Sequence, residues 1–231
     1  MNHYANITMK NSLKTPFPDY AYTPALITII LHFTAYLGTQ LFNRTMPHQD
    51  LSLAIDAAIP VKPEWILVYV ITFFIWICGL AVAMRQDKET CYSLFGQVLI
   101  ADVLCIITFL VFPTIMPRPE IAVTDYPSRF LALTYAIDQP TNLFPSMHCL
   151  LAWMCFRCCF QCKNLSKIYI AWTGIMSVFV CISTLLVKQH VVLDVVSAII
   201  YAEFSICLGK RLEAQRFYHW LERHMLGKIK I

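Results

Sequence analysis

Two histidines and one aspartate are the side chains in this chain best suited to chemistry. His190 precedes Asp194 by four residues, within Ser183-Thr-Leu-Leu-Val-Lys-Gln-His-Val-Val-Leu-Asp194, at the junction of two apolar runs. On a helix that spacing stacks the two side chains on one face. A carboxylate there holds one imidazole nitrogen and leaves the other free to attack, for example at phosphorus, while stabilising the imidazolium as charge develops. Asp194 sits in an apolar run, where an unpaired carboxylate costs at least about 2.5 kcal/mol, so a partner is demanded. His190 is one turn away. The second cluster is Phe144-Pro-Ser-Met-His148, at the start of another apolar run. A helix N-terminus offers unpaired N–H groups and partial positive charge, which together favour a phosphate. Ser146 adds a hydroxyl donor, and His148 could protonate a departing oxygen. The plainer alternative for this cluster is a capping serine beside an interfacial histidine. Arg118 and Lys188 supply cations for phosphate oxygens, Arg118 with a planar fork suited to them; Lys188 could equally be an interfacial lysine.

These groups must be positioned by apolar elements. The chain is 58% hydrophobic and 14% charged, with a mean hydropathy of +0.59. That composition excludes an ordinary soluble domain and predicts an all-α polytopic membrane protein. Six runs approach the roughly 20 residues that a span needs, near 24–42, 65–84, 93–113, 147–162, 168–187 and 191–209. The fourth is the weakest, being interrupted by Arg157 and Gln161. Pro24, Pro63, Pro113 and Pro145 stand at or just outside span ends, as helix punctuation should. The first 23 residues are polar, so no cleavable leader is expected and insertion is expected through the first span. No repeat or low-complexity segment appears, and residues 1–231 read as one domain.

Charge placement predicts the topology. Of 18 lysines and arginines, only Arg44, Lys62, Arg118, Arg129 and Lys188 fall on one set of loops. The remaining thirteen lie in the two tails (1–23 and 210–231), the 85–92 loop and the 157–167 segment, which puts both termini in the cytoplasm. His148 and His190 then open together on the outer face. The loops there include an amphipathic piece, Leu51 to Ile59, expected along the interface, and a long loop, 114–146, with a short helix expected from Ser128 to Ile137. The basic tail from Lys210 to Lys230, interleaved with Phe217, Tyr218 and Trp220, reads as an anchor on anionic lipid and not as a nucleic-acid site. His219 and His224, in that tail, are expected to be solvated, and His32 to be packed.

Ten cysteines fall mostly inside apolar runs, where a thiol behaves as a small hydrophobe. Cys155, Cys158, Cys159 and Cys162 share one helical face; packing is the leading reading, with zinc and lipid acylation as alternatives, since tetrahedral ligation needs ligands from several directions. Asp102 and Arg157 lie at similar depth in their spans and are expected to face the interior and to pair.

The three clusters resemble the motifs of the type 2 phosphatidic acid phosphatase superfamily, K-x6-R-P, P-S-G-H and S-R-x5-H-x3-D on a six-span bundle. Here the second reads Pro145-Ser146-Met147-His148, and the third reads Ser183-Thr184-x5-His190-x3-Asp194. The first survives only as Arg118-Pro119, because Val111 stands where the lysine belongs; Thr184 replaces the arginine of the third. The resemblance covers about 65–209. It implies that His190 forms a phosphohistidine, Asp194 orients it, His148 protonates the leaving group, and Arg118, Ser146 and Ser183 hold phosphate, with Lys188 standing in for a lost cation. No cofactor or metal is implied. The expected function is hydrolysis of a lipid phosphate monoester or diphosphate at the outer leaflet, with the lipid bilayer as surroundings. Alternatives are a lipid phosphotransferase, similar to inositol phosphorylceramide and sphingomyelin synthases, and an inactive lipid-binding or transport protein; a zinc-dependent hydrolase is a more distant one. Short loops and a compact chain point to a bacterial plasma membrane.

Overall fold

A computed structural model describes residues 15–224. Lys10, Lys14, Lys228 and Lys230, counted above with the tails, lie outside the described residues. The chain is helical, and among the described residues no β-strand forms beyond two isolated bridges, Gln49 with Thr114 and Ile115 with Thr141. In order, the helices are α1 (Asp19–Phe33), a π-helical segment (Thr34–Gly38), α2 (Thr39–Asn43), α3 (Ala54–Ala58), a 3-10 turn (Pro63–Trp65), α4 (Ile66–Met84), α5 (Lys88–Val111), α6 (Tyr126–Ile137), α7 (Met147–Cys159), α8 (Lys167–Leu186), α9 (Val192–Arg211) and α10 (Gln215–His224).

Among the described residues, five stretches are long and apolar enough to cross a membrane: Asp19–Asn43, Pro63–Met84, Lys88–Val111, Lys167–Leu186 and Val192–Arg211. The expected fourth span is shorter than predicted. α7 stops at Cys159, and Gln161 beyond it turns to exchange two 2.9 Å amide hydrogen bonds with buried Gln97 of α5. The expected short helix before it exists and begins two residues earlier, at Tyr126. Pro24, expected at the end of the first span, lies inside α1, because the helix starts at Asp19.

The start signals are readable in the side chains. Asp87, Ser146 and Ser166 accept hydrogen bonds from Thr90, Cys149 and Tyr169 N–H groups at 3.1, 3.3 and 3.1 Å, satisfying orphan donors of α5, α7 and α8. Asp125 and Ser128 cap α6 reciprocally at 2.9 and 3.0 Å.

α7 is the central element. It packs on α4, α8 and α9, and with α5 it builds a core of Cys105, Phe109, Met147, Leu150, Ala198 and Ala202. The polarity is inverted relative to a soluble protein. Leu26, Phe33, Leu67, Ile77, Ile107 and Ile200 are exposed on the outside, whereas Gln97, Asp102, His190 and Asp194 are buried within.

Two pairings between helices, one buried and one partly exposed, correct the expectation of an Asp102–Arg157 pair. Asp102 bonds instead to His32 Nδ1 at 3.0 Å, joining α5 to α1. Arg157 grips Glu203 of α9, with Nη2 to Oε2 at 3.0 Å, and Trp153 Nε1 donates to the same carboxylate at 2.8 Å. Each of the two bonds to a side chain on a neighbouring helix instead. Cys155 packs against Gly79, where an added Cβ would come within 2.4 Å of its sulfur, and Cys158 and Cys162 touch at 3.7 Å. The C-terminal segment also departs from expectation. α10 folds back onto α5, burying Tyr218 against Tyr92, and His219, expected in solvent, bonds to Glu89 at 2.8 Å.

The helices gather their connections at two ends. One end joins 43–62, 112–146 and 186–192, with Gln49 N–H bonded to Pro113 carbonyl at 3.0 Å and Lys62 N–H to Leu186 carbonyl at 2.9 Å. The other joins the start of α1, the 85–87 turn, the turn after α7 and α10: Tyr20 Oη donates to Gln86 carbonyl at 2.7 Å, and Lys163 N–H to Gln86 Oε1 at 3.1 Å.

Candidate active site

The C-terminal end of α8 sets the position of the first histidine. Val187 caps the helix, and the Thr184 carbonyl then accepts both the Gln189 N–H at 2.9 Å and the His190 N–H at 3.2 Å. Making that reversal puts Lys188 in the left-handed region, φ 52°, a conformation usually left to glycine or asparagine. His190 is thereby delivered just ahead of α9.

Asp194, the third residue of α9, receives the Val191 N–H at 3.0 Å and His190 Nδ1 at 3.2 Å on the same carboxylate oxygen, Oδ2. One carboxylate therefore closes the helix and holds the imidazole. His190 Nε2 has no protein partner among the described residues, and His190 lines a cavity of about 770 Å³.

His148 enters that cavity from α7. Its ring lies 6.0 Å from the His190 ring, centroid to centroid. Tyr69 at 4.5 Å, Trp76 at 5.4 Å and Phe73 at 5.9 Å pack around it, so stacking rather than hydrogen bonding fixes its orientation. The two motifs are also joined through their backbones, since Ser146 N–H donates to the Asp194 carbonyl at 3.1 Å.

Arg118 reaches the same region from the loop after α5. Its guanidinium donates to Gln189 Oε1 and to the carbonyls of Asp138 and Tyr135, and it stacks over the Tyr135 ring at 4.7 Å. Burial lowers the guanidinium's affinity for its proton and pushes the Tyr135 phenol up to about 12. Arg118 Nε and Gln189 Nε2 are buried with no hydrogen-bond partner among the described residues, and Gln189 lines the same cavity as the histidines.

Sequence reasoning did not single out Asp138. Its carboxylate accepts from the Tyr36 phenol, carried on the π-helical segment, and from the Tyr69 phenol at 3.1 Å, and it faces the same cavity. Burial raises its pKa to about 6, against a smaller opposing pull from His190. The readable signal was a lone acid in a loop, two residues before Pro140 and ten before His148. Gln189, Tyr36 and Tyr69 carried no such signal, because their roles depend on which helices become neighbours.

Two expected phosphate contacts are engaged elsewhere. Ser183 is fully buried, and its hydroxyl donates back to the Val180 carbonyl at 2.7 Å. Lys188 Nζ donates to the Asp56 carbonyl at 2.7 Å, while Asp56 Oδ1 accepts the Val192 N–H at 2.8 Å. That lysine fastens α3 to the start of α9. Ser146 is fully buried as the N-cap of α7. Val111, standing where the resemblance expects a lysine, is 72% exposed on the outer surface of α5.

The arrangement can hold an anion beside the two imidazoles and the Gln189 amide, which Arg118 holds from behind, offer an imidazole nitrogen as nucleophile, and supply a second imidazole for proton transfer. Among the described residues no three His, Cys, Asp or Glu side chains converge as metal ligands. No protein-family model matches the chain, and a search of curated proteins finds none that matches it.

Proposed function

We propose that the chain is an integral-membrane phosphatase, similar to the type 2 phosphatidic acid phosphatases, that hydrolyses a lipid phosphate monoester or diphosphate. The observation that carries this reading is the pair of imidazoles 6.0 Å apart at one cavity, one of them held by a carboxylate at 3.2 Å. In the first step His190 Nε2 attacks phosphorus; the N–P bond forms as the bond to the leaving oxygen breaks, and that oxygen takes its proton from His148. In the second, water attacks the phosphohistidine, gives a proton to His148, and the N–P electron pair returns to His190. Asp194 stabilises the imidazolium character of His190 in both steps. Arg118 and the unspent Gln189 amide are the donors for the phosphoryl oxygens.

In this reading α7 completes a six-span bundle, both termini lie on the cytoplasmic side, and the site opens on the outer face. The unequal distribution of lysine and arginine supports that orientation. Largely apolar walls, from Tyr69 down to Leu80 and Ile206, give the cavity the character of a lipid-tail site. The same depth favours one second reading, a phosphotransferase whose acceptor is a lipid alcohol bound beside the donor.

A panel of labelled phosphatidate and polyprenyl diphosphates, incubated with detergent-purified protein, tests both. Label released as inorganic phosphate, and lost in His190→Ala, supports the phosphatase; label moved to a second lipid supports the transferase. Folded protein that does neither across the panel would overturn the proposal.

A further inference from the structure

The carboxyl group of Asp138 is out of place in a site built for an anion. It faces the same cavity as His148 and His190, half-buried, on a loop whose carbonyl holds Arg118. Tyr36 on the π-helical segment and Tyr69 on α4 bond to the carboxylate, His190 ahead of α9 is near enough to pull its pKa down, Arg118 bonds to the residue's own carbonyl, and His148 on α7 shares the cavity. Among the described residues none of these forms an ion pair with the carboxylate, and its side-chain hydrogen-bond partners are the two phenols, which carry no charge. An ionised Asp138 would therefore set a negative charge beside the incoming phosphate with no paired cation of its own. A phenol oxygen accepts as well as donates, so Tyr36 and Tyr69 can hold the carboxyl in either form.

We propose that Asp138 is a third acid–base group of the site, and that binding of a phosphate group is coupled to uptake of one proton by Asp138. This rests on the reading of the His148–His190 cavity as a phosphate site. The bound state then keeps Arg118 as a cation and Asp138 as a neutral carboxylic acid, with the phenols turning to suit. By linkage the effect is reciprocal: the anion raises the proton affinity of Asp138, and protonation raises the affinity for the anion. The ordinary pKa of a partly buried carboxyl, already moved up to about 6 here by burial, places this exchange close to neutral pH.

Sulfate tests the coupling, because it is a tetrahedral dianion that does not itself titrate near neutrality. Its affinity for the detergent-purified protein, measured by calorimetry from about pH 5.5 to 8, should fall with pH in the wild type. One coupled proton corresponds to about tenfold per pH unit above the carboxyl pKa. Asp138→Asn fixes the neutral form and keeps an acceptor for a phenol; it should remove about tenfold per unit of that fall, leaving only the slope that does not come from Asp138. Calorimetry of the wild type in two buffers of different ionisation enthalpy should show about one more proton taken up than in Asp138→Asn. A melting temperature measured alongside reports whether the variant is folded. A purely structural tie to the two phenols would move the melting temperature and leave the pH slope unchanged. Equal slopes in the two proteins would overturn the coupling alone. Absence of sulfate binding by the wild type at every pH would overturn the phosphate site itself, and the coupling with it.

Discussion

Ser146 donates its backbone N–H to the carbonyl of Asp194 at 3.1 Å. That bond crosses 48 positions of sequence and ties the cap of α7 to the first turn of α9, the two helix starts that carry His148 and His190. The Asp194 peptide unit thus serves two assemblies. Its carboxylate holds His190 and its carbonyl holds the turn that leads to His148. Registration between the two imidazoles depends on a single residue's main chain and side chain together.

Replacing Asp194 by asparagine should keep the helix start and impair the chemistry. An amide can still accept the Val191 N–H, but it no longer stabilises the imidazolium and it favours the wrong tautomer of His190. Turnover of lipid phosphate should drop by about a thousandfold or more, with the melting temperature nearly unchanged. Asp194→Ala should also lower stability, by about 1–3 kcal/mol for the lost cap and the N–H groups left unsatisfied. Equal turnover by wild type and Asp194→Asn, measured by phosphate release, would remove the carboxylate from the mechanism.

His148 acts on the leaving oxygen in the proposed reaction, so the defect of His148→Gln should depend on the substrate. With an alkyl phosphate the rate should fall by about a hundredfold to ten-thousandfold. With a nitrophenyl phosphate, whose leaving group needs no proton, a stoichiometric burst of nitrophenolate should survive while later turnovers are slow. Rapid-mixing absorbance records both phases; a burst lost to the same degree as the steady state would contradict the assignment.

Arg118 should not tolerate lysine. Its fork contacts Gln189 and two carbonyls at once and stacks on Tyr135, which a single ammonium cannot reproduce. Arg118→Lys should lower kcat/KM at least tenfold and release the loop at 112–125, which proteolysis under native conditions would detect as faster cleavage. Retention of full kcat/KM would show that the guanidinium does not contact substrate phosphate.

The α4–α7 contact depends on Gly79. A Cβ there would lie 2.4 Å from Cys155 Sγ and 3.2 Å from Cys155 Cβ. Gly79→Ala should destabilise by about 1–3 kcal/mol through overpacking, and adding Cys155→Ala should restore most of that, since only the sulfur makes the impossible contact. Thermal unfolding in detergent of the two single variants and the double variant measures the coupling. Simple additivity of the two effects would contradict the contact.

Much of the helical layout was legible from composition and punctuation. Long apolar runs located α4, α5, α8 and α9, and capping residues such as Ser146 and Ser166 mark starts that the structure keeps. The spacing of His190 and Asp194 read through to a real hydrogen bond, but not by stacking on one helical face: His190 stands ahead of α9, and Asp194 reaches back over the helix start to meet it. What depended on neighbours was not legible. Asp102 finds His32 and Arg157 finds Glu203, because partner choice inside a bundle follows helix adjacency, which no spacing along one helix reveals. Lys188 was read as a cation for substrate, yet its left-handed backbone carries its side chain to Asp56. Asp138 went unnoticed for the complementary reason. Its surroundings come from the π-helical segment, 102 positions away in the chain, and from α4, 69 positions away.

The brevity of α7 has a consequence for what surrounds it. Its 13 residues rise only about 20 Å, against about 30 Å for the 20-residue helices α8 and α9 beside it. Because α4, α5, α8 and α9 enclose it, its ends meet protein and not hydrocarbon. His148 stands at the first turn of this enclosed helix, with its ring among Tyr69, Phe73 and Trp76. An anion arriving at that ring would be screened from the lipid by the encircling helices.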